Sequence, residues 1–267
     1  MEPVALPRAT TAAVLERLEA ELARTSVTPV ILAFDADGTL WDGDVGIDLF
    51  EALLATRGVR DEAREALAAE ARDLEVDAGG DANALAAALY DAYKADRYAH
   101  DRAFAMMAWV FAGWRRNELA SLCEDVLRRG GIDARVRPAL REILAWAARK
   151  GVEVYVVSAS ARIMVEVAVA GARLGIAPDH VAAMTPATSG DGVILPVLDG
   201  PIVYGEGKLA ALERVRPGAR GALLGAFGDS AYDAAMLRAA RVPVAVTPVP
   251  ALLALAPTIP GLVALDR

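Results

Sequence analysis

The chain has 267 residues, 55% of them apolar, with 36 acidic against 28 basic side chains and a formal charge of −8. That length can build a full hydrophobic core carrying a smaller unit, and no apolar run reaches the ~18–20 residues of a membrane span. The acidic balance argues against a nucleic-acid partner, because holding a phosphate backbone takes clustered Lys and Arg. The single cysteine, Cys123, leaves no intrachain disulfide and no multi-cysteine metal site. With Leu119, Leu122 and Val126 around it, it is expected to pack inside a helix. The opening Met-Glu-Pro-Val-Ala-Leu-Pro lacks the basic and apolar regions of a secretory signal, so a cytoplasmic protein is expected.

Residues 9–24 carry a helical stripe of Val14, Leu15, Leu18 and Leu22 behind a Thr10 or Thr11 cap, so residues 1–28 read as a helical extension. After Thr28-Pro29, Val30 to Phe34 form an uncharged apolar run, long enough for one buried strand of a parallel sheet. Asp35, Asp37, Gly38 and Thr39 follow at once. From about 46 to 133 the pattern is almost purely helical. Ile47, Leu49, Phe50, Leu53 and Leu54 open it. Helices are predicted at about 60–74, 82–97, 100–113 and 117–129, with a loop at Asp77–Asp81 and a stop at Gly130-Gly131.

Past Pro138 strands and helices alternate. A helix at 138–150 ends at Gly151, and a strand at 152–157 ends in Ser158-Ala159-Ser160. A helix at 161–174 and a strand at 180–184 precede a Gly/Pro-rich hairpin or flap at 190–205. Gly205-Glu-Gly-Lys208 opens a helix to about 215. A strand at 222–227 ends in Gly228-Asp229-Ser230, and a helix to about 240 leads to a strand at 242–246. This alternation predicts an α/β protein, a Rossmann-like parallel sheet with helices on both faces. The core comprises 1–45 and 134–267, with an all-helical domain inserted at 46–133.

Ligands of such sheets bind at the carboxyl ends of the strands. Three predicted strands end there in residues suited to phosphate chemistry: Asp35 with Asp37, Ser158, and Asp229. Lys208 begins a helix. Singly, each has a plain structural explanation. Ser158 can cap a helix, Lys208 can be a solvated charge, and Asp233 merely lies one turn from Asp229. Together and in this order they point to one site.

Asp35-Ala-Asp37-Gly-Thr39, Ser158, Lys208 and Gly228-Asp229-Ser-Ala-Tyr-Asp233 resemble the four motifs of the haloacid dehalogenase (HAD) superfamily of phosphohydrolases. The helical insertion is similar to that superfamily's C1 cap. Val157-Ser-Ala-Ser160 and the Met236-Leu237 that follows the last motif look most like the phosphoserine-phosphatase-like branch. The resemblance implies a magnesium-dependent phosphatase acting on a small phosphorylated metabolite. Asp35 would be the nucleophile, giving an aspartyl phosphate. Asp37 would be the general acid and base. Ser158, Ala159 and Lys208 would hold the phosphoryl group. Asp35, Asp37 (through its carbonyl) and Asp229 would hold Mg2+, with Asp233 orienting ligands behind them.

A dehalogenase would not need Asp37, since a halide leaves without a proton. A phosphomutase or phosphotransferase would keep every one of these residues, and a non-catalytic binding protein would need no proton shuttle. Asp44, nine positions past Asp35, stands where phosphoserine phosphatases place an acidic residue for the substrate ammonium. The arginine those enzymes use for the substrate carboxylate falls near Met106-Met107, with Arg97 and Arg102 close by. The expected substrate is therefore an amine-bearing ester without a carboxylate, such as phosphoethanolamine or phosphocholine, with Trp41 or Trp109 as a cation–π partner. Trp109, Phe111, Trp114, Met106 and Met107 otherwise read as one packed helix face. His100 and His180 lack metal-site spacing. The oligomeric state is not encoded legibly.

Overall fold

The computed structural model describes residues 6–76 and 79–266. It opens with a two-residue strand, β1 (Arg8–Ala9), and helix α1 (Thr11–Arg24). The Thr10 hydroxyl accepts from the Ala13 amide to cap α1, which buries Val14 and Leu18. The extension is thus not purely helical as expected, because a two-residue strand is too short to show a period. β2 (Ile31–Phe34) follows, with every side chain buried, as its uncharged run required.

Six helices come next: α2 (Val45–Ala55), α3 (Arg64–Asp73), α4 (Ala82–Lys94), α5 (His100–Trp109), α6 (Arg116–Gly130) and the short α7 (Ile132–Arg135). Their ends differ from expectation in three places. A separate 3-10 turn, Asp61–Ala63, precedes α3; α4 stops at Lys94; and α5 stops at Trp109. Asp77 and Ala78 of the expected loop lie outside the described residues, as do Met1 to Ala5 of the opening segment. Asp81, at the loop's far end, caps α4 by accepting from Ala84 N. Cys123 is buried within α6, as expected.

The α/β rhythm then resumes with α8 (Pro138–Lys150), β3 (Glu153–Ala161), α9 (Arg162–Gly171) and β4 (Val181–Met184). A hairpin of β5 (Pro186–Thr188) and β6 (Ile194–Leu198) starts four residues before the expected flap. After it come α10 (Glu206–Val215), α11 (Ala219–Ala222), β7 (Leu223–Gly228), α12 (Ala234–Ala239), β8 (Val242–Val246), α13 (Pro250–Leu255) and β9 (Val263–Leu265). β3 is longer than its apolar run. Ser158, Ala159 and Ser160 sit inside the strand, and its pairing with β4 shifts between Ser158 and Ala161.

Seven strands form one parallel sheet in the order β1-β9-β8-β7-β2-β3-β4. β2 lies between β7 and β3: Phe34 is level with Phe227 on one side and Val156 on the other. The Phe34 and Phe227 rings stack with centroids 4.3 Å apart. Neighbouring strands lie ~4.8 Å apart, so the carboxyl ends of these three fall within about 10 Å of one another. No helix among the described residues is long and apolar enough to cross a membrane.

Candidate active site

The Asp35 amide donates to Phe227 O at 2.9 Å, so the β2–β7 ladder fixes its backbone one residue past the strand. Lys208, on the first turn of α10, donates from Nζ to Asp35 Oδ1 at 2.6 Å and to Asp233 Oδ1 at 2.5 Å. Asp35, Lys208 and Asp233 are 6%, 3% and 0% exposed, so water screens none of these charges. Burial pushes the Asp35 carboxyl well above the usual carboxylate range, against the pull of the Lys208 charge. Burial works against the Lys208 ammonium, but the Asp233 and Asp35 charges outweigh it and hold the group protonated. The other Asp233 oxygen accepts from the Asp229 amide, the Ser230 amide and the Ser230 hydroxyl at 2.9–3.1 Å. Asp233 therefore braces both the lysine and the 229–230 loop. A Cβ on Gly228 would lie 2.4 Å from that of Asp233, which is why the strand closes on glycine.

Asp37 is held by three donors. Oδ1 accepts from Trp41 Nε1 and from Val45 N, each at 2.8 Å, and Oδ2 accepts from the Ser160 hydroxyl at 2.7 Å. Asp44 caps the same helix, α2, accepting from Ile47 N at 2.8 Å. Burial, reinforced by the Asp37 charge, pushes its carboxyl up to about 7. Ser158 is buried and its oxygen accepts from Ser160 N at 3.0 Å. Ala159, between them, is half-buried. Ser160 stood in the Val157-Ser-Ala-Ser160 stretch but was given no role from the sequence. Its spacing of two from Ser158 puts both on one side of a strand.

One carboxylate oxygen each from Asp35, Asp229 and Asp233 lie within 4.8 Å of one another. Burial and the Asp233 charge raise the Asp229 carboxyl to about 7. Three carboxylates, Asp35, Asp229 and Asp233, thus gather around a single lysine, leaving a surplus of negative charge. Gly38 has φ +76°, and a Cβ there would stand 2.4 Å from Asp229 Oδ2, so the main chain of the 35–39 loop lies directly against that carboxylate. An all-oxygen, net-anionic donor set under a close backbone suits a hard divalent cation such as Mg2+. Of the four acids expected at the metal, Asp35 and Asp229 fit as direct ligands. The Asp37 and Asp233 carboxylates are occupied by other partners. Arg137, another residue the sequence did not mark, donates to Gly38 O and Thr39 O at 2.9 and 3.0 Å and pairs with Asp42, pinning the loop from behind.

Between the insertion and the end of β3 lies a narrow cleft walled by Asp44, Ile47, Leu49, Phe104, Met107 and residues 159–161. Neither expected cation–π partner faces it. Trp41 is fully buried with its ring nitrogen on Asp37, and Trp109 lines a groove on the far side with Arg102. Arg102 is tied to Glu70 and Asp73, and Arg97 is exposed, so neither enters the cleft. Five rings instead form a circuit beside the site. Tyr93, His100 and Phe104 of the insertion meet Tyr204 and Tyr232 of the core. His100 Nδ1 and the Tyr232 hydroxyl are 2.8 Å apart.

Adjacent strand ends of a parallel sheet thus gather a buried lysine bound to two carboxylates and an oxygen donor set, at the position where such sheets bind their ligands. The model of the haloacid dehalogenase-like hydrolases matches residues 32–238, and the chain belongs to that family. No curated protein matches it. Among solved structures, a protein of unknown function from Bordetella pertussis Tohama I is similar at 22% identity and a TM-score of 0.67. That match covers 90% of this chain and 99% of that one. A substrate-bound phosphoserine phosphatase is similar at 16% identity and TM-score 0.51, over 91% of this chain and 95% of its own. Cytosolic 5'-nucleotidase IIIB bound to cytidine is similar at 12% and 0.53, over 94% and 83%. These likenesses show the shared fold.

Proposed function

We propose that this protein is a magnesium-dependent phosphatase that hydrolyses a small phosphomonoester through an aspartyl-phosphate intermediate. The observation that carries this reading is the buried Asp35–Lys208–Asp233 chain, with Asp37 held alongside on three donors. A phosphomonoester dianion repels a carboxylate, so attack needs positive charge around both. Lys208 supplies one such charge, and Asp233 holds it in place. Asp35 and Asp229, with the Asp37 carbonyl, would hold Mg2+, which when bound neutralises the phosphoryl oxygens. The Asp35 oxygen forms a bond to phosphorus as the ester oxygen departs, and Asp37 gives that oxygen its proton. Asp37 then takes a proton from the water that attacks phosphorus and frees Asp35. The Ser158 hydroxyl and the amides near Ala159 bind phosphoryl oxygens.

In this reading residues 46–133 act as a C1-type cap over a core of 1–45 and 134–267, and the cleft at Asp44 receives the leaving group. Its walls are apolar apart from Asp44 and Ser160, and the nearby arginines face away. That favours a cationic or neutral head group over phosphoserine, whose buried carboxylate would lack a partner at a cost of several kcal/mol.

The test is phosphate release from p-nitrophenyl phosphate and phosphoethanolamine with Mg2+, with and without chelator, for the wild type and Asp35→Asn. Release that stops with chelator, returns with Mg2+ and falls by orders of magnitude in a folded Asp35→Asn protein is expected. Wild-type turnover by Asp35→Asn refutes the nucleophile, and with a sugar phosphate as substrate, an isomerised sugar phosphate in place of free phosphate indicates a mutase.

A further inference from the structure

The Asp37 carboxylate has two unlike oxygens. Oδ1 is locked between two N–H groups that cannot turn away, the Trp41 indole and the Val45 amide. A proton there would displace a fixed donor. Among the described residues Oδ2 has a single partner, the Ser160 hydroxyl at 2.7 Å, which is both donor and acceptor and rotates about its own bond. The proton that Asp37 exchanges must therefore travel through Oδ2.

Ser160 is built into place. It is 8% exposed, lies on β3, and its amide is fixed by the Ser158 oxygen at 3.0 Å. Gly46 opposes it at the start of α2, where a Cβ would stand only 2.4 Å from Ser160 Oγ. The helix can approach because that position carries no side chain. Ser160 also lines the cleft with Asp44 and Phe104, beside the space given to the leaving group.

We propose that Ser160 is a positioning residue for acid–base catalysis at Asp37, holding Oδ2 toward the ester oxygen and accepting from it once it is protonated. This rests on the phosphatase reading. In the first half-reaction the Asp35–phosphorus bond forms, the phosphorus–ester-oxygen bond breaks, and the Asp37 Oδ2 proton passes to the ester oxygen. In the second, water gives its proton back to Oδ2 as its oxygen bonds phosphorus and Asp35 leaves. Ser160 stays chemically unchanged through both. It matters most where the leaving oxygen is basic and needs a proton, and least where it departs as a stable anion.

The experiment compares phenyl phosphate with p-nitrophenyl phosphate, nearly the same in shape but with a far poorer leaving group in the first. It measures kcat and KM for the wild type, Ser160→Ala, Ser160→Thr and Gly46→Ala. Ser160→Ala is expected to lower kcat on phenyl phosphate about tenfold or more while changing it less than about threefold on p-nitrophenyl phosphate, with KM steady on both. Ser160→Thr keeps the hydroxyl and should restore most of the difference. Gly46→Ala, which displaces Ser160 without altering it, should reproduce the loss. Equal losses on the two esters, or no loss on phenyl phosphate, overturn the proposal while leaving the phosphatase reading intact. A wild type that releases phosphate from neither ester overturns both.

Discussion

Asp44 carries two duties that pull against each other. As the cap of α2 it satisfies a helix amide, and as a buried acid beside Asp37 it has a carboxyl raised to about 7. Below about pH 4 both folded and unfolded chains hold its proton, so it has no effect on stability. Between about 4 and 7 the unfolded chain releases the proton and the folded chain keeps it, so stability falls as pH rises and stays lowered above 7. Asparagine caps equally well and carries no charge. Asp44→Asn should therefore match the wild type in stability at pH 4 and exceed it at pH 8, by an amount on the order of a few kcal/mol. Calorimetry at the two pH values decides it, and a variant less stable at pH 8 would show that the charge is compensated. At this scale the sequence marked Asp35, Asp37, Ser158, Lys208, Asp229 and Asp233 because each ends a strand, opens a helix or lies one turn away. It gave no role to Ser160 or Arg137, whose partners lie 123 and 99 residues away and leave no local pattern. Trp41 was marked for the wrong chemistry, since composition does not reveal which way an indole points.

The elements were legible in proportion to their length and monotony. β2 and β7 are unbroken apolar runs and showed as strands. β1 and β9, at two and three residues, did not, and β3 hid its last turn-like residues because serine reads as a loop. The two crossings between core and insertion also pair with each other. Trp41 bridges Val136, Asp42 N donates to Arg135 O, and Arg137 N donates to Leu40 O, making a small stem. On the cap reading, hinges at the two junctions must then avoid the stem and the α2 cap. That leaves Gly43 and Gly131, at φ +80° and +63°. Gly43→Ala would carry a left-handed penalty of about 1–2 kcal/mol, and its Cβ would meet Arg135 Nη2 at 2.5 Å. A lowered Tm with slower turnover is expected. An unchanged Tm would show that the backbone there relaxes freely. The aromatic circuit on the opposite side joins the same two units, so any opening at Gly43 has to part His100 from Tyr232.

At the scale of the whole molecule, alternation announced a parallel sheet and a helix-only stretch lay between two of its strands, but the strand order left no trace in the residue pattern. That order has a kinetic consequence. β2, which leads into Asp35, finds no partner near it in the chain, since Ile31 pairs with Glu153 on one side and Leu223 on the other. Closing such loops precedes any reward, whereas α3 and α4, next to each other in sequence, can meet at once. During refolding the amides of α4 should gain protection before those of β2, in pulse-labelled hydrogen exchange. Simultaneous protection would point to a single cooperative step. On a ribosome the same order means that the helices are complete and waiting while β2 remains unpaired. The carboxylate cluster can assemble only after Asp233 has emerged, about 200 residues behind Asp35.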